Sequence, residues 1–481
     1  MRIKLFILSI LILGSLSGLA TKINGKTYKP FKGKTVNLIQ YKDYVTRDYE
    51  VLASTTVDSL GKFSFDYDIK STQQAIIQIE YLIGIIYLAP NKEYSVYFPP
   101  RSEDGKYRLT RNNVNIVFDS IPKNDVNGLI LEFNRLYDQF LMNNRYNVGK
   151  PFFHENLDTF KLQIKKQFEG IEDDYFLKYA RFSIGDLQLV APSSHDKINR
   201  LSIYNSYIVN KKIDTKNHAQ MNFLQNFYSK TLKNQIGKTG KALSNSLTTN
   251  PSYTAIDSIL KKDYFFKMQT IREFVIAENL FSMFYDEKYD PNIILSLLKE
   301  AEEKGEKKEM TVITKSIIAS ITKLMKGSKP YPIRLVNQHG DIVNLSDFEG
   351  KYVYINFWAK WNKESLAEMD VLKKMKAEYG DLIEFVSINI DASKRKFDLY
   401  MLSHKEYDWN MLYYGGDANL LDVYEVYTAP HYIMLDTNGN ILSAPALKPV
   451  PNGSFESIEK MFFEIKKKSK KKPKFNIGGK L

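Results

Sequence analysis

Trp361, Asn362, Ser365, Glu368 and His431 are the residues of this chain whose types and placement bear on chemistry. The first four fall within Lys351–Asp370, reading KYVYINFWAKWNKESLAEMD. Ser365 offers a hydroxyl nucleophile, but acyl transfer also needs an adjacent base, and neither histidine nor lysine is indicated beside it in that sense. Glu368 is suited to capping or pairing with a lysine, or to a polar ligand. The chain contains no cysteine. It therefore has no thiolate, disulfide or cysteine-bound metal, and thiol exchange through a thiol of its own is chemically excluded.

The elements that must position these residues are legible around them. Tyr352, Val353, Tyr354, Ile355 and Phe357 form an apolar, β-branched and aromatic run of strand length. Trp358, Ala359, Lys360 and Trp361 carry the chain off the strand. Asn362 is a good N-cap, and Leu366, Met369, Val371 and Leu372 follow at helical spacing. A buried strand that turns directly into a helix N-terminus is where an α/β fold presents function. Downstream, Ile383–Ile390 reads as a second buried strand, Lys394–His404 and Leu420–Tyr424 as helices, and Tyr432–Leu435 as a strand paired with Ile441–Leu442. Upstream, Gly340-Asp341 closes a hairpin and Leu345–Phe348 makes a helical turn. The expected order is β-α-β-α-β-β.

The chain divides into unlike regions over its 481 residues. Residues 1–20 have a basic start (Arg2, Lys4), an apolar core from Leu5 to Leu13, and Gly18 and Ala20 at −3 and −1 of a cut after Ala20. This reads as a secretory signal peptide. No cysteine follows for lipoprotein processing, so the expected product is soluble and exported to the periplasm or cell envelope. Residues 21–120 read as a small β-sandwich, with strands around Val36–Gln40, Thr55–Val57, Phe63–Tyr67 and Ile77–Tyr81, and turns at Asp58–Gly61 and Pro90-Asn91. Residues 121–327 read as helical: Leu129, Phe133, Leu136 and Phe140 share a helical period, as do Phe274, Ala277, Phe281 and Phe284. Pro151, Pro192, Pro251 and Pro291 mark helix starts or breaks, and Glu300–Glu309 reads as a solvated face with a turn at Gly305. Residues 328–465 hold the α/β domain, and 466–481 a basic tail.

The formal net charge is +13. Arg2 and Lys4 supply two of these charges and eight lysines from Lys466 to Lys480 supply eight, leaving about +3 for the body. The tail reads as a solvated end, or as a weak contact to an anionic surface. The six histidines, at 154, 195, 218, 339, 404 and 431, lack metal-ligand spacing, and no cofactor is expected. No phosphate-binding glycine loop, GxSxG elbow or HExxH motif occurs where it could act. Nothing resembles a basic, aromatic RNA-binding motif.

The segment GDIVNLSDFEGKYVYINFWAKW, Glu368 on the following helix, and VYTAPHYIMLDTNGNIL resemble the TlpA/ResA-like branch of exported thiol–disulfide oxidoreductases, in the thioredoxin superfamily, over residues 330–465. LASTTVDSLGKFSFD and IYLAPNKEYSVYF likewise resemble the β-sandwich found ahead of such proteins. The resemblance implies a thioredoxin fold with the motif W-x-x-W-C-x-x-C at the helix N-terminus. Here Asn362 and Ser365 stand at the two cysteine positions, and Asp370 stands where many relatives have a helix-kinking proline. Glu368 matches the family's thiol-tuning carboxylate, and Pro430 its cis-proline. Ala429 then matches the residue whose backbone N–H and C=O receive an extended substrate. The resemblance thus implies a surviving peptide groove of Trp361, Asn362, Ala429 and Pro430, with His431 beside it, that binds by β-addition. The alternative is that Pro430 persists only for its turn. Two functional readings follow: a non-catalytic peptide- or protein-binding or structural envelope protein, or a family enzyme that borrows a partner's thiol or does non-redox chemistry with Asn362, Ser365, Glu368 and His431.

Overall fold

A computed structural model describes residues 20–28, 31–99, 112–148, 150, 152–190, 196–391, 393–451 and 456–470. The expected signal peptide up to residue 19, Pro151, Pro192, His195 and the expected tail beyond Lys470 lie outside the described residues.

Among the described residues nine strands come first: β1 (Thr21–Thr27), β2 (Thr35–Tyr41), β3 (Tyr49–Thr56), β4 (Lys62–Tyr67), β5 (Gln73–Ile79), β6 (Leu82–Leu88), β7 (Glu93–Phe98), β8 (Asn112–Asn113) and β9 (Val117–Phe118). They form two sheets, ordered β4-β1-β7-β9 and β3-β2-β5-β6-β8. Ile23, Phe63, Phe65, Ile77, Ile86 and Val96, drawn from both sheets, share one core. β1 was absent from the expected strands, although its residues alternate between buried and exposed. β5 is buried at every position, its outward-facing Gln74 and Gln78 included, so polar residue types there do not mark exposure. One reason is that Tyr87 of the neighbouring strand β6 joins the core of the following helical region.

That region comprises α1 (Val126–Asn144), α2 (Phe152–Gln167), α3 (Asp174–Val190), α4 (Asp196–Tyr207), α5 (His218–Phe227), α6 (Gly237–Leu247), α7 (Tyr253–Leu260), α8 (Gln269–Phe284), α9 (Pro291–Lys304) and α10 (Lys308–Thr322). Leu129, Phe133, Leu136 and Phe140 are buried along α1, and Phe274 and Ala277 along α8. Pro291 opens α9, where its missing N–H costs nothing, and Gly305 closes it. Pro251 precedes Ser252, whose side chain caps α7.

The C-terminal part is an α/β domain built on one seven-stranded sheet. It contains β10 (Arg334–Asn337), β11 (Ile342–Asn344), a 3₁₀ turn (Leu345–Phe348), β12 (Tyr352–Trp358), α11 (Lys363–Tyr379), β13 (Ile383–Asn389), α12 (Lys394–Ser403), β14 (Asn410–Tyr413), α13 (Ala418–Val423), β15 (His431–Leu435), β16 (Ile441–Ser443) and α14 (Glu459–Lys470). The sheet order is β11-β10-β14-β13-β12-β15-β16, with β12, β13 and β14 parallel. β14 corrects the expected strand count. At four residues after an aromatic loop it carries little periodic signal, yet it pairs with β13 over Val386–Asn389 and with the β10 edge. α14 corrects the boundary at residue 465. Phe462 and Ile465 are buried in the domain core, so the helix continues through the first lysines of the expected tail. Lys466 bonds the Glu378 carboxylate at 3.3 Å and lies over the Tyr379 ring.

Candidate functional site

β12 is the interior strand that delivers the chain to this site, hydrogen-bonded to β13 on one side and β15 on the other. Its side chains are nearly all buried, which is why it reads as one apolar run. After Trp358 the chain turns: Asn362 N–H donates to the Ala359 carbonyl at 3.1 Å, and Lys360 N–H to Asp391 Oδ2 at 3.1 Å. α11 begins at once. Its N-cap is Asn362, whose Oδ1 accepts from Ser365 N–H at 2.8 Å. The helix is unbroken past Asp370, in keeping with the absence of proline there.

The same Asn362 side chain does a second thing. Its Nδ2 donates to the Ala429 carbonyl at 2.8 Å, across to the loop that leads into β15. The Ala429–Pro430 peptide bond is cis. Asn362, Ala429 and Pro430 are thus brought together, with Trp361 at the rim, 36 % exposed. The Ala429 carbonyl already has a partner within the chain. Among the described residues, no acceptor faces Ala429 N–H. The loop is held from behind by Glu425, which pairs with Lys323 after α10 at 3.0 Å.

Ser365 is not presented. It is 1 % exposed, and its Oγ is buried without a hydrogen-bond partner. The expectation that it stands open at the helix N-terminus is corrected: only its backbone N–H takes part in capping, and the first helical turn rotates its side chain inward. His431 is half-buried on β15, opposite Phe357, with its ring 6.1 Å from that phenyl ring. Its Nε2 is also buried and unpartnered, so it offers the groove no accessible Nε2, and burial lowers its pKa. No hydrogen bond joins Ser365 to His431, and the pair is not a nucleophile with its base.

Glu368, one turn further along α11, is 2 % exposed and accepts from the Tyr432 hydroxyl at 2.5 Å. Its partner is a tyrosine rather than the expected lysine; Lys448 instead pairs with Glu364 at 2.6 Å. Burial raises the Glu368 pKa, while the tyrosine bond and the Lys448 charge oppose that rise. Tyr432 stacks on Tyr354 at 5.1 Å, and the Tyr354 hydroxyl donates to the Leu447 carbonyl at 2.6 Å. Beneath, Ser387 Oγ donates to Asn356 Oδ1 and accepts from Trp409 Nε1 at 2.8 Å. None of these tyrosine and serine contacts was expected, because each joins segments that are far apart in sequence.

Among the described residues no group of histidines and acids is arranged to hold a metal ion, and no helix is long and apolar enough to cross a membrane.

Residues 350–441 match a family model described as thioredoxin-like. The thiol-disulfide oxidoreductase ResA of Oceanobacillus iheyensis is 32 % identical over 101 residues, 21 % of this chain and 51 % of that protein. This chain therefore spans about half the length of that relative. ResA of Bacillus subtilis is 25 % identical over 132 residues, 27 % of this chain and 72 % of that protein. Among solved structures, the thioredoxin domain of a thiol-disulfide oxidoreductase from Bacteroides vulgatus shares 25 % identity with a TM-score of 0.26, covering 30 % of this chain and 97 % of that one.

Proposed function

We propose that this chain, whose residues 350–441 are thioredoxin-like, is an exported envelope protein that binds an extended peptide or protein segment without catalysing thiol exchange. The observation that carries the reading is the Asn362–Ala429 bond. At the place where ResA-like proteins are expected to carry a reactive thiol, this chain has an amide that caps the helix and ties it to the cis-proline loop. The substitution maintains the helix start and removes the nucleophile.

In this reading an incoming strand pairs with Ala429 N–H, and with the Ala429 carbonyl either through its second lone pair or by displacing the Asn362 amide. Trp361 supplies the apolar wall at the rim. The buried Ser365 and Glu368 shape the floor and touch no ligand. The non-redox enzyme reading is the weaker one, because Ser365 Oγ and His431 Nε2 are both buried without partners. The two sheets that share one core support a sandwich for residues 21–120, as a spacer or platform.

The test is capture from envelope extract and titration with any captured peptide, comparing wild type with Trp361→Ala and Ala429→Pro, the latter removing the N–H. Weaker capture by both variants supports the groove. Unchanged capture by both would move the binding surface elsewhere in the chain.

A further inference from the structure

A groove of about 590 Å³ runs between α2 and α3, far in sequence from the cis-proline loop. Its floor is apolar, built from Ile164, Phe176, Ala180 and Ile184, which also belong to the helical core. Two leucines at its edges stay in water, Leu162 at 69 % exposure and Leu177 at 43 %. Leu162 on α2 and Leu177 on α3 extend the apolar floor outward to the two edges of the groove. The rim is cationic: Lys161, Lys165, Lys166 and Arg181 line it against a single carboxylate, Glu169. Lys161 is bonded to Asp158, and Arg181 donates to the Ser206 carbonyl and lies over the Tyr207 ring, whereas among the described residues no carboxylate pairs with Lys165 or Lys166.

We propose that this groove binds a medium-chain anionic amphiphile, its acyl chain along the apolar floor and its carboxylate between Lys165 and Lys166. Three observations select this occupant. The volume lies in the range of small-molecule sites. The α3 side of the floor, from Phe176 to Ile184, spans roughly 12 Å of helix, which suits one chain of medium length and is short for a docked helix. The excess of cations over Glu169 selects an anionic head over a neutral or cationic one. The lysine stems extend the apolar walls while their ammonium groups remain in water, as an amphiphile requires. This site is independent of the peptide groove.

The experiment titrates the full chain with dodecanoate below micelle-forming concentration, by calorimetry and native mass spectrometry, with dodecyltrimethylammonium and dodecyl maltoside as matched-chain controls. Saturable 1:1 binding of dodecanoate, weakened by salt and absent for the cationic control, is the expected result. The exposed double variant Lys165→Glu/Lys166→Glu should weaken it about tenfold or more, and Leu177→Ser should weaken it while leaving circular dichroism unchanged. Absence of saturable dodecanoate binding overturns the proposal. So does equal affinity for the three head groups, equal affinity in both variants, or binding of an acidic amphipathic peptide in place of dodecanoate.

Discussion

The Asn362 amide spans the site: its oxygen accepts from Ser365 N–H and its nitrogen donates to the Ala429 carbonyl, both at 2.8 Å. One side chain thus starts α11 and ties it to the loop before β15. A cysteine could do neither as well, because a thiol is a weak donor and a weak acceptor.

The two halves of that role separate by mutation. Asn362→Ala removes the cap and the cross-loop bond, and should cost about 1–2 kcal/mol in urea unfolding. Asn362→Asp keeps an acceptor for Ser365 N–H, adds a favourable charge at the helix N-terminus, and loses only the donor. It should therefore cost less than alanine. Equal losses would show that the bond to Ala429, rather than the cap, dominates.

Restoring thiols tests whether the scaffold is intact. Ser365 Oγ sits buried without a partner, so a sulfur there breaks no hydrogen bond. The double variant Asn362→Cys/Ser365→Cys should form a disulfide that dithiothreitol reverses, and should reduce insulin above the wild-type background. A double variant that oxidises but never turns over would indicate a groove closed to substrate.

The Glu368–Tyr432 pair makes stability depend on pH. Burial raises the folded-state pKa of Glu368 above its ordinary 4.5. The folded state then holds the proton more tightly than the unfolded chain, so this contribution is fully present below pH 4.5 and is lost as pH rises through the raised value. Tyr432→Phe removes the hydrogen bond that opposes the rise. Its destabilisation, about 1–3 kcal/mol, should be larger at pH 8 than at pH 4, read from urea midpoints. A pH-independent loss would mean that packing against Tyr354 matters more than the hydroxyl.

Glu278 on α8 is shifted in the same sense, and its raised pKa sets the pH window. Burial pushes its pKa from 4.5 up to about 7, against the pull of the Asn279 amide and of Lys233. Stability should fall as pH rises from about 4.5 to 7, by at most about 3 kcal/mol from this group. Glu278→Gln should abolish that slope and be the more stable protein at pH 8. If thermal scans of wild type and variant run parallel across the window, Glu278 does not titrate as the structure requires.

Much of the thioredoxin-like part was legible because its signals are local. The run Tyr352–Phe357, the N-cap at Asn362 and the spacing of Met369 and Leu372 each lie within a few residues, and the strand, the cap and α11 stand where they were expected. The absence of cysteine needed no structure at all to exclude the chain's own thiol chemistry. Tertiary structure decided what local signals cannot carry. β14 is a strand because β13 and β10 supply its hydrogen bonds, not because Asn410–Tyr413 alternates. Ser365 faces inward because helix phase is set by packing against the sheet, so a polar type gave no warning of its burial. The bond from Asn362 to Ala429 joins residues 67 apart. Sequence identified both partners as neighbours of a site, but an amide has two ends, and only the fold determines what the second one meets.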